Sequence, residues 1–236
     1  MGQKTQRLDK FISHTTGLTR GQVKQQLAQG EVTVNGEPAK QASMAVSAED
    51  RVCWQGELLE EVGLRYLLLN KPLGYECSRK SSHHPLVFDL LDVPQLDRIQ
   101  PVGRLDVETS GLLLLTDDGQ WAHRLTSPRH KKKKVYLAEL AEPLCAEAEI
   151  KLAEGLLLEG EEKPTLPAEL ERLSPTRVKL GLTEGRYHQV RRMFAALGNH
   201  VVSLHRESIG ELLLDPVTCP EGQWRHLTAQ EIQILT

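Results

Sequence analysis

The sequence predicts an α+β protein in two parts. Residues 1–60 are expected to form a small module of two helices and a small sheet. Residues 61–236 are expected to form a larger domain with a mixed, largely antiparallel sheet and flanking helices. Helical spacing of apolar residues near the start, an Asn-Gly turn between two short alternating runs, and a later succession of apolar runs mixed with helical stretches carry this reading.

In the first part, Leu8, Phe11 and Ile12 make one apolar helical stripe. Thr19 and Gln22 have the spacing of a capping box for a second helix carrying Val23 and Leu27, and Gly30 ends it. Val32–Val34, then Asn35-Gly36, read as a strand and a type I′ turn, and RVCW with ELL as another strand pair. After a short link at 60–64 come the strand-like runs RYLLLN, GLLLLT, VYLAEL, RVKLGL and HVVSLHR. Helices are expected near 120–126, 144–154 and 188–197, and Thr228 with Glu231 suggests a last capped turn.

With 39% hydrophobic and 26% charged residues, the 236-residue chain can bury one or two cores, which argues against disorder. It holds no apolar run of membrane-spanning length, and its start lacks the apolar stretch of a signal peptide, so the expected location is the cytoplasm. The scattered Cys53, Cys77, Cys145 and Cys219 form no CxxC pair and are read as reduced packing residues, and the nine histidines show no metal spacing. His83, His84 and the isolated histidines are read as loop or surface groups.

The net charge of −3 conceals segregation. Arg124, Arg129 and Lys131–Lys134 form a basic run without acidic neighbours, whereas Glu139–Glu171 is acidic apart from Lys151 and Lys163. Lys4, Arg7, Lys10, Arg20, Lys24 and Lys40 make the first module basic. By charge alone these are as readily a solvated helix surface as a phosphate grip. The order RLDKFI, then LTRGQVKQQLAQGEVTVNG, resembles the αL RNA-binding motif first described in a small-subunit ribosomal protein. That resemblance implies RNA contacts from Arg7, Lys10, Arg20 and Lys24, through phosphates rather than bases.

The most informative segment is GRLDVETSGLLLLTDDG at 103–119. A strand expected to end at Leu105 delivers Asp106 into a polar loop, and Leu112–Leu115 returns to the core. An aspartate so placed is ordinarily a turn or capping residue. The full string GRLDxxTSGLLLLT, however, resembles the catalytic motif of pseudouridine synthases, in the branch acting on ribosomal RNA. LNKPLGYECS, KKVYLAEL and EGRYHQVRRMFAALGNHVVSLHRESIG resemble the family's other motifs in order, so the likeness runs from about Arg7 to the C-terminus.

The resemblance implies that Asp106 is the essential aspartate and that no cofactor is needed. A carboxylate enclosed in a site needs a positive neighbour to stay ionised. If Val190, Met193, Phe194 and Leu197 are a buried stripe, Arg191 lies about 100° from Val190, at its edge, and Arg192 about 200° away, facing water or phosphate. Family likeness likewise puts Arg191 beside the aspartate. It implies that Tyr136 stacks on the flipped uracil and could assist proton removal from carbon 5, against the plain reading of a core aromatic. Lys71 in the KPxG loop, Arg104, and Lys132, Lys133 and Lys134 are candidate RNA contacts, with turn formation and a solvated charge run as the plain alternatives.

The expected partner is 16S ribosomal RNA at the family's uridine 516, within a partly assembled small-subunit particle and bound by a monomer. Large-subunit synthases share these motifs, and a non-catalytic assembly factor is a further alternative. A metal nuclease using Asp106 and Glu108 is disfavoured, since residues i and i+2 of an extended loop point apart.

Overall fold

A computed structural model describes residues 5–60, 63–80, 83–127 and 132–235. The chain divides in sequence between Leu64 and Arg65 into two compact units. Lys4, Arg129 and Lys131 of the expected basic segments lie outside the described residues.

The first unit begins with β1 (Gln6–Arg7), α1 (Leu8–Thr16) and α2 (Arg20–Ala28). The Thr19–Gln22 capping box is present, its side chain and backbone bonded reciprocally. Strands β2 (Val32–Val34), β3 (Glu37–Pro38), β4 (Ala45–Val46), β5 (Val52–Trp54) and β6 (Glu57–Leu58) follow, and four of them pair in the order β3-β2-β5-β6. Asn35 and Gly36 at φ 55° and 86° make the type I′ turn of the first hairpin. Leu8, Ile12, Val23, Val32, Val46 and Val52 close a core beneath them.

The second unit holds β7 (Tyr66–Lys71), β8 (Gln100–Pro101), β9 (Ser110–Thr116), α3 (Gly119–Thr126), β10 (Lys134–Leu140), α4 (Ala148–Glu154), β11 (Glu169–Arg172), β12 (Arg177–Leu182), α5 (Gln189–Ala196), β13 (Val201–Ile209), β14 (Leu212–Leu213), β15 (Trp224–His226) and α6 (Ala229–Leu235). The main sheet runs β11-β12-β10-β13-β9-β7-β15, antiparallel except where β13 meets β9. At that junction Gly111, at φ 105°, lets the backbones approach; a Cβ there would collide with the backbone of Arg206.

The leucine run of β9 is continuous because both faces are covered. Leu112 and Leu114 pack with Trp121, Leu125 and Leu235, while Leu113 and Leu115 pack with Phe88, Ile99 and Leu105. A further core joins β10 and β12 to α4 and α5 through Ala138, Leu152, Leu180, Met193 and Phe194. At the C-terminus, Thr228 and Glu231 cap α6 by mutual backbone bonds.

Candidate active site

The strand expected to reach Leu105 stops at Pro101, and Asp106 stands in the loop that crosses to β9. This loop is held from several sides. Val102 N–H donates to Leu114 O at 2.8 Å, Leu105 is buried in the core, and Thr109 N–H closes a turn on Asp106 O at 3.0 Å. Gly74 N–H donates to Val107 O at 2.9 Å, tying the KPxG loop to the same segment. Despite this anchoring the Asp106 side chain is 38% exposed, so a fixed backbone presents an accessible carboxylate.

Lys71 corrects the expectation of an RNA contact. It is fully buried, and its ammonium donates to Thr109 O at 2.9 Å, Pro72 O at 3.0 Å and Asp106 O at 3.1 Å, with Val107 O at 3.5 Å. It therefore fastens the Asp106 loop from beneath. Burial pushes its pKa down, with the nearby Asp106 opposing that shift. The carbonyl ring requires the protonated form, because only an ammonium offers three donors.

The helix-face argument for α5 holds in part. Val190, Met193 and Phe194 are buried and Arg191 reaches the Asp106 loop, but it meets Glu108 rather than Asp106. Its guanidinium donates to Glu108 O at 2.9 Å and Val201 O at 3.0 Å, with the Glu108 carboxylate 3.8 Å away. Arg192 does not face open water. It donates to Glu161 at 2.9 Å, Glu159 O at 2.7 Å and Tyr187 O at 3.1 Å, binding the segment at 159–161 to the helix start.

The residue facing Asp106 is one that sequence reasoning set aside. His188 Nε2 lies 3.5 Å from Asp106 Oδ1. His188 sits at the N-terminus of α5 at φ 47°, a left-handed conformation uncommon for a residue with a side chain, and its ring stacks on Tyr187. The signal available was the position of the histidine at a helix start inside the quoted motif EGRYHQVRRM.

Tyr136 is half-buried between two cores, opposite Arg206 on β13. Arg206, also missed, is 2% exposed. Its Nε donates to Leu112 O at 2.8 Å, Nη1 is 3.5 Å from the Tyr136 hydroxyl, and its buried Nη2 has no hydrogen-bond partner among the described residues. Its charge centre lies 6.0 Å from the Tyr136 ring centre. Among the described residues no carboxylate pairs with Arg206. With Lys71 it supplies buried positive charge beside the loop.

Other expected RNA contacts divide. Arg104 is exposed, as are Lys10, Arg20 and Lys24 in the first unit. Arg7 is bound bidentately to buried Asp9, whose carboxyl it holds below the usual range. Of the lysine run, Lys132 donates to Ile234 O, Lys133 pairs with Glu169, and Lys134, its pKa lowered by burial, donates to Lys132 O. They are not a free charge run; each already has a protein acceptor. Among the described residues no cluster of three or more His, Cys, Asp or Glu side chains could hold a metal ion.

Comparison with known proteins places this arrangement. Residues 65–196 match the family described as RNA pseudouridylate synthase, and residues 6–52 match the S4 domain. The chain is 50% identical over 227 residues to ribosomal small subunit pseudouridine synthase A of Pasteurella multocida (strain Pm70), covering 96% of this chain and 97% of that protein. Against the protein of the same name from Escherichia coli (strain K12) the identity is 47% over 227 residues, covering 96% and 98%. A solved structure titled "Crystal structure of pseudouridylate synthase" superposes with a TM-score of 0.71 at 48% identity, covering 98% of this chain and 99% of that one.

Proposed function

Because this chain belongs to the RNA pseudouridylate synthase family, and so isomerises uridine in RNA, we propose that its substrate is a uridine of small-subunit 16S ribosomal RNA. The names of its close relatives support that choice, and uridine 516 is the position we assign. We further assign the partly assembled subunit in the cytoplasm as the working substrate, met by a monomer.

The observation that carries the reading is the Asp106 loop: a rigid backbone clamped by Lys71 and Arg191, presenting a partly exposed carboxylate beside His188. In the reaction the bond from ribose C1′ to uracil N1 breaks, C1′ bonds to C5, and the proton on C5 is lost while N1 gains one. The sum is an isomerisation that consumes no cofactor. Attack by the carboxylate on C1′ and removal of a ribose proton both need Asp106 ionised at the sugar. Tyr136 is assigned as the ring for the extruded uracil, with its hydroxyl assigned to assist proton removal from C5.

In the first unit, exposed Lys10, Arg20 and Lys24 are assigned to phosphates, which give affinity without base selection. A nucleotide-resolution map of pseudouridines in ribosomal RNA from cells lacking this protein tests the substrate. One small-subunit site should be missing; loss of a large-subunit site instead overturns the assignment.

A further inference from the structure

Tyr187 is 74% exposed, among the most exposed large apolar residues of the second unit. One ring face is accounted for: it lies on the His188 imidazole with centres 3.9 Å apart and planes 15° from parallel. The exposure means that the other face is open. His188 carries this two-ring stack to within 3.5 Å of the Asp106 carboxylate.

The stack is held in place rather than left to swing. The backbone at His188 adopts the left-handed conformation, which costs on the order of 1 kcal/mol or more and is retained only where surroundings impose it. Arg192 donates to the Tyr187 carbonyl, and the Arg186 backbone N–H is fixed by Gln189 at 2.8 Å. Tyr187 is thus an aromatic plate on a rigid helix start, one residue from the group that touches the catalytic loop.

We propose that Tyr187 is a stacking platform for a nucleobase adjoining the target uridine, extending a base–Tyr187–His188 pile beside Asp106. The occupant is a base and not a phosphate, because the open surface is a π face with the neighbouring guanidinium of Arg192 already bound to Glu161. An extruded uridine leaves its neighbour unstacked on one side, and an aromatic face restores that contact without selecting the base. This proposal rests on the RNA-modifying reading above and names a second subsite of the same centre.

The test is a double-substitution cycle on the full-length protein. Tritium release from uracil C5 is followed with small-subunit RNA carrying an abasic residue directly 5′ or directly 3′ of the target, for wild type, Tyr187→Ala and Tyr187→Phe. Tyr187→Ala should raise KM about tenfold to a hundredfold with little change in kcat, the range for loss of one base–aromatic stack. Tyr187→Phe, which keeps the ring, should recover most of that loss. One abasic substrate should cost wild type the same factor and cost Tyr187→Ala nothing more. Losses that add in full at both positions, or a Tyr187→Phe defect equal to that of Tyr187→Ala, would overturn the platform. Wild-type turnover of unmodified RNA separates the two proposals. If only large-subunit RNA is turned over, the substrate assignment fails and the same cycle is run on that RNA, where additivity still overturns the stack.

Discussion

Replacing Lys71 by Met distinguishes a buried fastener from an RNA contact. Met matches much of the aliphatic stem but removes the ammonium that meets Thr109 O, Pro72 O and Asp106 O at 2.9–3.1 Å. Three bonds from a charged donor are worth about 1.5–3 kcal/mol each. Recovery of the lysine's desolvation on replacement offsets much of that sum, while each buried carbonyl left unpaired costs about 1–3 kcal/mol. A destabilisation near 3 kcal/mol by urea unfolding is therefore expected. Because the Asp106 and Thr109 carbonyls belong to the Asp106 loop, a displacement of about 1 Å should lower kcat by about a hundredfold. RNA affinity and its salt slope should stay close to wild type, since Lys71 is fully buried. Unchanged stability together with weaker binding and a salt slope reduced by about one would refute the fastener and restore Lys71 as a phosphate ligand.

Further outcomes follow from the same geometry. Arg191→Ala removes the bridge from α5 to Glu108 O and should reduce kcat at least tenfold, by steady-state kinetics, with a small effect on KM. Glu231, held by Arg225 and then by the Thr228 backbone, has its pKa pushed down to about 2 from 4.5. Its contribution, about 1 kcal/mol once solvent screening of this surface pair is allowed for, is present above pH 4.5 and lost as pH falls toward 2. The urea-stability gap between wild type and Glu231→Gln should shrink across that window and stay constant above it. Tyr66, raised to about 12 by burial and by Asp118, should appear as a late component in an ultraviolet pH titration. Tyr66→Phe should remove that component, and Asp118→Asn should move it to lower pH.

Much of the fold could be read from local pattern. The Thr19–Gln22 box, the Asn35-Gly36 turn and the Thr228–Glu231 cap each depend on contacts within a few residues, and each forms. The stripe of Val190, Met193 and Phe194 located α5 for the same reason. The site was less legible because its contacts join distant segments. Lys71 meets carbonyls more than thirty residues away, and nothing in KPxG tells a buried ammonium from an exposed one. Arg192 was assigned outward from helical geometry, but the distant acidic segment at 159–161 folds over it. Arg206 lies in a strand whose place beside β9 depends on the Gly111 crossover, and strand periodicity alone could not bring it to Tyr136. The GRLDVETSG segment located the carboxylate; its partner His188 needed the tertiary fold.

The most direct test of the central claim is Asp106→Asn. Asn keeps the size of Asp but cannot act as an anionic nucleophile or base. Small-subunit RNA transcribed with tritium on uracil C5, assembled with ribosomal proteins if the naked RNA is inert, is incubated with each protein without added metal or nucleotide. Wild type should release one equivalent of tritium, and Asp106→Asn should bind the RNA with similar affinity and release none. Release by the variant at the wild-type rate would contradict the assignment of Asp106 and return it to a turn residue.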